Sequence, residues 1–353
     1  MRSAVAVAVL SVALAGCSLT AAEDPTEVRE SGETTGGTVV LVTHDSFSLP
    51  KPLQRQFERE SGYELEVRAA GDAGTLTTKL AVTADNPTGD VAFGVDNTFA
   101  SRALDEDVFD TADVTLPDGA ADFVVPGDDG DRLVPIDTGN VCVNVDTAWF
   151  EERDLEPPAT LDDLTDPVYE GLFVTPSALS SSPGLAFLMT TVAAYGEEWP
   201  GYWEDLLAND VRVVDGWSDA YYTDFTAGGG DGDRPIVLSY DSSPAFTVAK
   251  GGEGSTTAAL LDTCFQQVEY AGVLAGADNP DGARALLEFL LGEDVQAALP
   301  DSMYVFPVRA GVALPSDWEQ YAVQPDDPFV VDPAEIAENR DAWLEQWRDL
   351  VTQ

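Results

Sequence analysis

From Thr38 onward the chain alternates short β-rich runs with amphipathic helical segments, a pattern that restricts it to an α/β fold with largely parallel strands. Thr38 to Val42 reads as a first strand. Lys51 to Ser61 reads as a helix carrying Leu53 and Phe57 at i, i+4 and stopped by Gly62. Leu65 and Val67 alternate in a second strand, Asp72 can cap a helix carrying Leu76 and Leu80, and Val91 to Phe93 forms a third strand before a helical stretch near Thr98. Residues 115–133, rich in Asp, Gly and Pro, read as loop, and Leu133 to Val145 as a long β segment. A second set begins near Gly171, with strands Leu172 to Val174, Val211 to Val214 and Ile236 to Ser239 and helices Gly184 to Tyr195, Tyr202 to Leu207 and Asp219 to Phe225. Cys264 to Val273 is again β-like. Pro280 to Leu291 is an amphipathic helix with Ala283, Leu286, Leu287 and Leu290 on one side, and Pro333 to Val351 a terminal helix with Trp343 and Trp347 at i, i+4.

Two such sets in 353 residues exceed what one core usually covers, and 44% hydrophobic with 9% aromatic residues supply enough apolar surface for two. The expected layout is a first lobe from 38–137 plus 266–310, a second from 138–265, and a C-terminal helical segment, 311–353, packed on both. The long extended segments near 134–145 and 264–273 would cross between the lobes as a two-strand hinge.

The first residues carry an address. Arg2, an apolar run from Ala4 to Leu14 broken only by Ser11, and Leu14-Ala15-Gly16-Cys17 read as a lipoprotein signal, 1–17, with Cys17 as the acylated residue. The run is too short to span a bilayer of ~30 Å. The alternative is an ordinary secretory signal with an incidental Cys. Residues 18–37 then read as a flexible tether, which leaves Cys142 and Cys264 inside the two hinge segments. In an exported chain these two are expected to pair; two buried free thiols are the alternative.

Lys+Arg 17 against Asp+Glu 64 gives a net charge of −47, which repels phosphate backbones and anionic lipid and attracts small cations, so nucleic acid is excluded as a partner. Solubility or a salty habitat accounts for such a charge equally well. In open α/β sheets ligands bind beyond the carboxyl ends of the strands. The residues found there are His44-Asp45-Ser46-Phe47, Gly94-Val95-Asp96-Asn97, Ser180-Ser181-Ser182-Pro183-Gly184, Asp215-Gly216-Trp217-Ser218 and Tyr240-Asp241-Ser242-Ser243. Trp217, Tyr221, Tyr222 and Tyr240 beside Asp45, Asp96 and Asp241 suit a planar aromatic cation, through stacking and cation–π attraction of ~0.5 to 2 kcal/mol each. Each aromatic could equally be a core residue, the serine cluster simply a helix cap, and His44 a polar residue opening a loop. One His and three Cys cannot build a zinc site of the usual kind, so no metal is expected, and no nucleophile elbow, Walker loop or dinucleotide fingerprint occurs.

At these strand exits the sequence resembles the periplasmic thiamine-binding proteins of ABC importers, from about Thr38 to Thr352. The stretches that carry the resemblance are Asp45-Ser46-Phe47, Asp90 to Asn97, Pro135-Ile136-Asp137-Thr138-Gly139, Ser182-Pro183-Gly184-Leu185, Gly216 to Tyr221, Leu238 to Ala245, Gln267-Val268-Glu269, and the tail from Ala337 to Trp347. The resemblance implies a type II periplasmic-binding-protein fold, with two doubly wound α/β lobes and a ligand cleft between them. It implies a monomer without cofactor that captures thiamine or its phosphates and presents it to a permease and its ATPase, while the lipobox at Cys17 would hold the chain at the extracellular face of the membrane by lipid alone. Trp217, Tyr221 and Tyr240 would contact the two rings, Ser181 and Ser182 the hydroxyethyl or phosphate end, and Asp45 and Asp96 would anchor polar atoms; Ser46, Asn97, Asp241 and Ser242 complete the candidate set. The chain departs from the Gram-negative pattern in its lipobox, its Cys142/Cys264 pair and in having His44 where a Tyr is usual. Ferric ion is the alternative ligand, because Tyr221-Tyr222 matches a consecutive Tyr pair used by related two-lobed proteins. An exported enzyme, or a surface adhesion or signalling protein, would be a different class.

Overall fold

A computed structural model of the protein describes residues 36–248 and 254–352. Cys17, the signal and nearly all of the expected tether lie outside the described residues. The last two tether residues are already tied in: the Gly36 N–H donates to the Gly62 carbonyl and the Glu64 N–H to that of Gly37.

The elements run β1 (Thr38–Thr43), α1 (Lys51–Ser61), β2 (Glu64–Ala69), α2 (Ala73–Val82), β3 (Val91–Asp96), α3 (Ala100–Asp105), β4 (Phe109–Asp110), β5 (Val134–Asp146) and α4 (Thr147–Glu151). They continue as β6 (Phe173–Pro176), α5 (Ser182–Tyr195), α6 (Trp199–Ala208), β7 (Arg212–Val214), β8 (Ile236–Tyr240), β9 (Thr257–Ala259) and β10 (Phe265–Leu274). The rest is α7 (Pro280–Leu290), α8 (Glu293–Met303), β11 (Phe306–Pro307), α9 (Ser316–Tyr321) and α10 (Pro333–Val351).

One sheet holds all the strands in the order β2-β1-β3-β10-β5-β8-β6-β7, with β4 on β10 and β9 and β11 on β5. Its two ends are parallel, β2-β1-β3 on one side and β8-β6-β7 on the other, as strand–helix–strand crossovers require. The expectation of largely parallel strands fails in the middle, where β3, β10, β5 and β8 pair antiparallel. The reason is topological. β5 carries the chain from the first end to the second and β10 carries it back, so neighbouring crossings run in opposite senses. Val134 and Pro135 of β5 pair with β10 next to β3, whereas Val141 to Val145 pair with β8.

Helix ends follow local chemistry. α1 stops at Gly62, which takes a left-handed φ of 76°, and α2 starts at Asp72, whose side chain accepts from the Ala73 N–H. α5 is apolar all round and buried from Ser182 to Val192, so it is a central helix rather than a surface one. α7 buries Ala283, Leu286, Leu287 and Leu290, the face read from its spacing. α10 docks through Trp347, 1% exposed, whose ring meets that of Trp203 edge-on at 5.4 Å. α8 was not expected, since Pro300 lies inside it; burial of Val295, Gln296 and Leu299 overrides that local penalty. Cys142 and Cys264 are joined in a disulfide between β5 and the residue entering β10, both fully buried.

Candidate functional site

The parallel ends of the sheet send their strand exits toward one space. The segment after β1 contributes His44 and Ser46, the start of α2 contributes Asp72, β10 contributes Glu269, α5 contributes Ser182, and the exits of β7 and β8 contribute Trp217 and Tyr240. With Tyr304 from the end of α8 these line a narrow cavity. A second, wider cavity shares Trp217, Tyr240 and Tyr304 and adds Tyr221, Tyr222, Ser242 and Phe246. Ser46 and Ser218, from the two parallel ends, bring their hydroxyls within 3.5 Å of each other.

The aromatic wall is continuous. The Trp217 ring stacks on Tyr221 at 5.1 Å with 18° between planes, and Tyr240 stands edge-on to Trp217 at 6.2 Å. Trp217 is held by its indole N–H, which donates to Ser239 Oγ, and by its backbone N–H, which donates to Asp72 Oδ2. Burial pushes the Tyr221 hydroxyl up to about 12, and the Tyr222 hydroxyl is also raised by burial, so neither favours a tyrosinate near neutral pH. Among the described residues no group of three or more His, Cys, Asp or Glu is placed to hold a metal ion.

The acidic wall is not the one expected. Asp45 is exposed, and its carboxylate accepts from the Gly71 N–H rather than facing the cavity. Asp96 is fully buried and accepts from Thr98, Phe99 and the Ser182 hydroxyl, so it ties the exit of β3 to the first turn of α5. Asp241 is also fully buried and binds the backbone and side-chain N–H groups of Asn140. Asn97 spends both side-chain atoms on the backbone of Gln266 and Val268. These four anchor strand exits to one another. Ser46, Ser182, Trp217, Tyr221, Tyr240 and Ser242 line the cavities, and Ser181 lies fully buried just behind Ser182.

Asp72 and Glu269 are the carboxylates that reach the cavity, and sequence reasoning had given Asp72 only a capping role. Burial raises the Asp72 carboxyl, although N–H groups of Trp217 and Ala73 pull the other way. Glu269 sits at a bulge where the register of β10 shifts against β5, which turns its side chain inward beside His44 and Asp137. His44 Nδ1 accepts from the Ser46 N–H, and its Nε2 lies 3.5 Å from Glu269 Oε1. Burial alone would lower the His44 pKa, but Glu269, with Asp72 and Asp45 behind it, raises it overall. Gly94, at a φ of +103°, is required here, because a Cβ would meet His44 Cδ2 at 2.2 Å. Burial, then the Glu269 charge, hold Asp137 well above the usual carboxylate range.

Every one of these shifts has the same sign. Burial pushes Asp241 up from 3.8 to about 6, and Asp96 likewise to about 6, so each binds its proton more tightly when folded. Stability from this source is fully present below pH 4 or so and is lost as pH climbs through about 6, at up to ~3 kcal/mol per group. The ligand-free protein is therefore expected to melt at a higher temperature at about pH 5 than at about pH 7.5, and Asp241→Asn to flatten that difference. Calorimetry across the range checks this; a melting temperature that rises between the two pH values contradicts it.

The family profile described as bacterial extracellular solute-binding protein matches residues 53–325. The thiamine-binding periplasmic protein of Escherichia coli (strain K12) is 30% identical over 325 residues, which is 89% of this chain and 94% of that protein. A solved periplasmic thiamin binding protein superposes with a TM-score of 0.78 at 27% identity, covering 90% of this chain and 96% of that one. The apo ferric ion-binding protein A of Pasteurella haemolytica superposes at 0.69 with 17% identity, covering 89% and 97%, a likeness of fold alone.

Proposed function

The chain belongs to the bacterial extracellular solute-binding proteins, and from that premise we propose that it captures thiamine in the cavity beside Trp217 and Tyr240 and hands it to the permease of an ABC importer. The observation that carries the reading is the pairing of an aromatic wall, Trp217 against Tyr221 and Tyr240, with the carboxylates of Asp72 and Glu269 across the same space. Thiamine is a flat pyrimidine joined to a thiazolium cation. Rings of this kind take the pyrimidine by stacking and the cation by attraction to their faces, while the buried carboxylates balance its charge.

The remaining assignments rest on that reading. Trp217, Tyr221 and Tyr240 grip the rings, and Ser46, Ser182 and Ser242 offer hydroxyls to polar atoms. Asp96, Asn97 and Asp241 hold the strand exits in place behind them. Residues 38–137 with 266–310 and residues 138–265 act as two lobes that close about β5 and β10. A lipid on Cys17 holds the monomer at the extracellular face of the membrane. Ferric ion fits less well, because the raised Tyr221 and Tyr222 hydroxyls resist the ionisation an iron site needs.

Protein stripped of ligand by unfolding and refolded should bind thiamine with a sub-micromolar dissociation constant, read by calorimetry and by quenching of Trp fluorescence. Absence of heat and of quenching at millimolar thiamine would remove the proposal, and a coloured complex on adding ferric ion would put iron in its place.

A further inference from the structure

Resting on the reading that the ligand is a cation, we propose that Asp137, which lines neither cavity beside Trp217, makes this site exchange a proton for its ligand. The Asp137 carboxyl holds a proton against Glu269 in the ligand-free protein and gives it up to solvent when a cation settles beside Glu269 and Asp72.

Asp137 of β5 and Glu269 of β10 are paired directly in register, so both side chains leave the same face of the sheet. Asp137 is fully buried, and neither of its oxygens meets an N–H or hydroxyl donor. A carboxylate there would go without any hydrogen bond, which costs far more than keeping a proton. Protonated, Asp137 has a hydrogen to donate to the Glu269 carboxylate beside it. Burial first, and the Glu269 charge second, hold that proton on well above the usual carboxylate range. From the other side, His44 Nε2 lies 3.5 Å from Glu269 Oε1. His44 Nδ1 accepts from the Ser46 N–H, so the neutral ring keeps its hydrogen on Nε2, toward Glu269. Glu269 thus stands between two hydrogens, and it reaches the cavity while Asp137 does not.

Asp72 and Asp45 act on His44 from the start of α2 and from the segment after β1, and Asp96 faces Glu269 from β3. The Tyr240 hydroxyl faces Glu269 from β8, β11 sets the uncharged Pro307 against Asp137, and α8 offers β5 the neutral Gln296. Neither cavity has a Lys or Arg among its described lining residues. A positive charge placed beside Glu269 stabilises a second carboxylate on Asp137 across a poorly solvated space. The Asp137 O–H bond breaks, and its proton passes by way of Glu269 to solvent. One positive charge arrives and one leaves. Cation and proton therefore compete, and by linkage affinity rises with pH for as long as ligand-free Asp137 still holds its proton. A neutral ligand drives no such exchange, so Asp137 ties recognition to positive charge.

The test is calorimetric titration with thiamine at about pH 7.5, in phosphate and in Tris, whose different heats of ionisation count the protons released. The parent is expected to release about one proton per thiamine, and its affinity to rise by up to about tenfold per pH unit between about pH 6.5 and 8. Asp137→Asn keeps the shape but cannot titrate, so its release should be close to nil and its affinity flat across that range. Absence of release by the parent overturns the inference, and so does equal release by a folded Asp137→Asn protein. If the variant does not fold, the infrared spectrum of the parent decides at about pH 7.5, above the ranges of Asp96 and Asp241. A carboxylic acid C=O band should be present there and give way to carboxylate absorption on adding thiamine; a band that persists overturns the inference. If thiamine gives no heat in either buffer, it is the thiamine reading that fails. Asp137 is then judged by the ligand-free spectrum, where lack of the carboxylic acid band overturns its proton.

Discussion

Replacing Trp217 by alanine is expected to weaken thiamine binding by about 100- to 1,000-fold, equivalent to ~2.7 to 4.1 kcal/mol. Trp217 is one of the three residues that both cavities share, and the rings of Tyr221 and Tyr240 both pack against it. Its removal takes away the largest flat face of the site and frees Tyr221 from its stack. The change also costs stability, since the indole packs with Val174, Ala220 and Phe225 and donates to Ser239. Binding must therefore be measured by calorimetry on protein whose folded fraction has been checked by circular dichroism. Trp217→Phe keeps an apolar ring and should lose far less, about tenfold. Retention of thiamine affinity within a few-fold in a folded Trp217→Ala protein would move the ligand elsewhere.

The second large effect concerns the two crossing strands. Cys142 and Cys264 are separated by 122 residues, so their bond closes a long loop that, by chain-entropy arithmetic, stabilises the fold by ~5 kcal/mol. Replacing both with alanine is expected to lower unfolding stability by ~3 to 5 kcal/mol, measured by denaturant titration with an unchanged slope. Neither cysteine lines either of the two cavities beside Trp217, so thiamine affinity in the folded variant should hardly move. Since both residues are fully buried, a reductant should act on the parent only when denaturant opens the strands. A double variant as stable as the parent would show that β5 and β10 need no covalent brace.

How much of this was legible beforehand divides along a physical line. The bounds of α1 and α10 follow from Gly62, Pro333 and the spacing of Phe57 and Trp347, because capping and periodicity act within one or two turns. β5 and β10 were legible as long extended runs, and so was the placing of Trp217 and Tyr240 at strand exits. α8 was not, because Pro300 argues locally against a helix that only packing sustains.

What the sequence determined by itself is the class of fold, the aromatic inventory and the family, since these rest on local pattern and on runs of residue types that survive without coordinates. The tertiary structure alone decided which acids face the ligand. Asp45, Asp96 and Asp241 stand at strand exits as Glu269 and Asp72 stand near the cavity, yet the first three turn to backbone or Ser and Asn partners. Asp72 meets Trp217 across 145 residues. The direction of a short carboxylate depends on which N–H groups the docked strands bring within about 3 Å, and no local term in the chain encodes that.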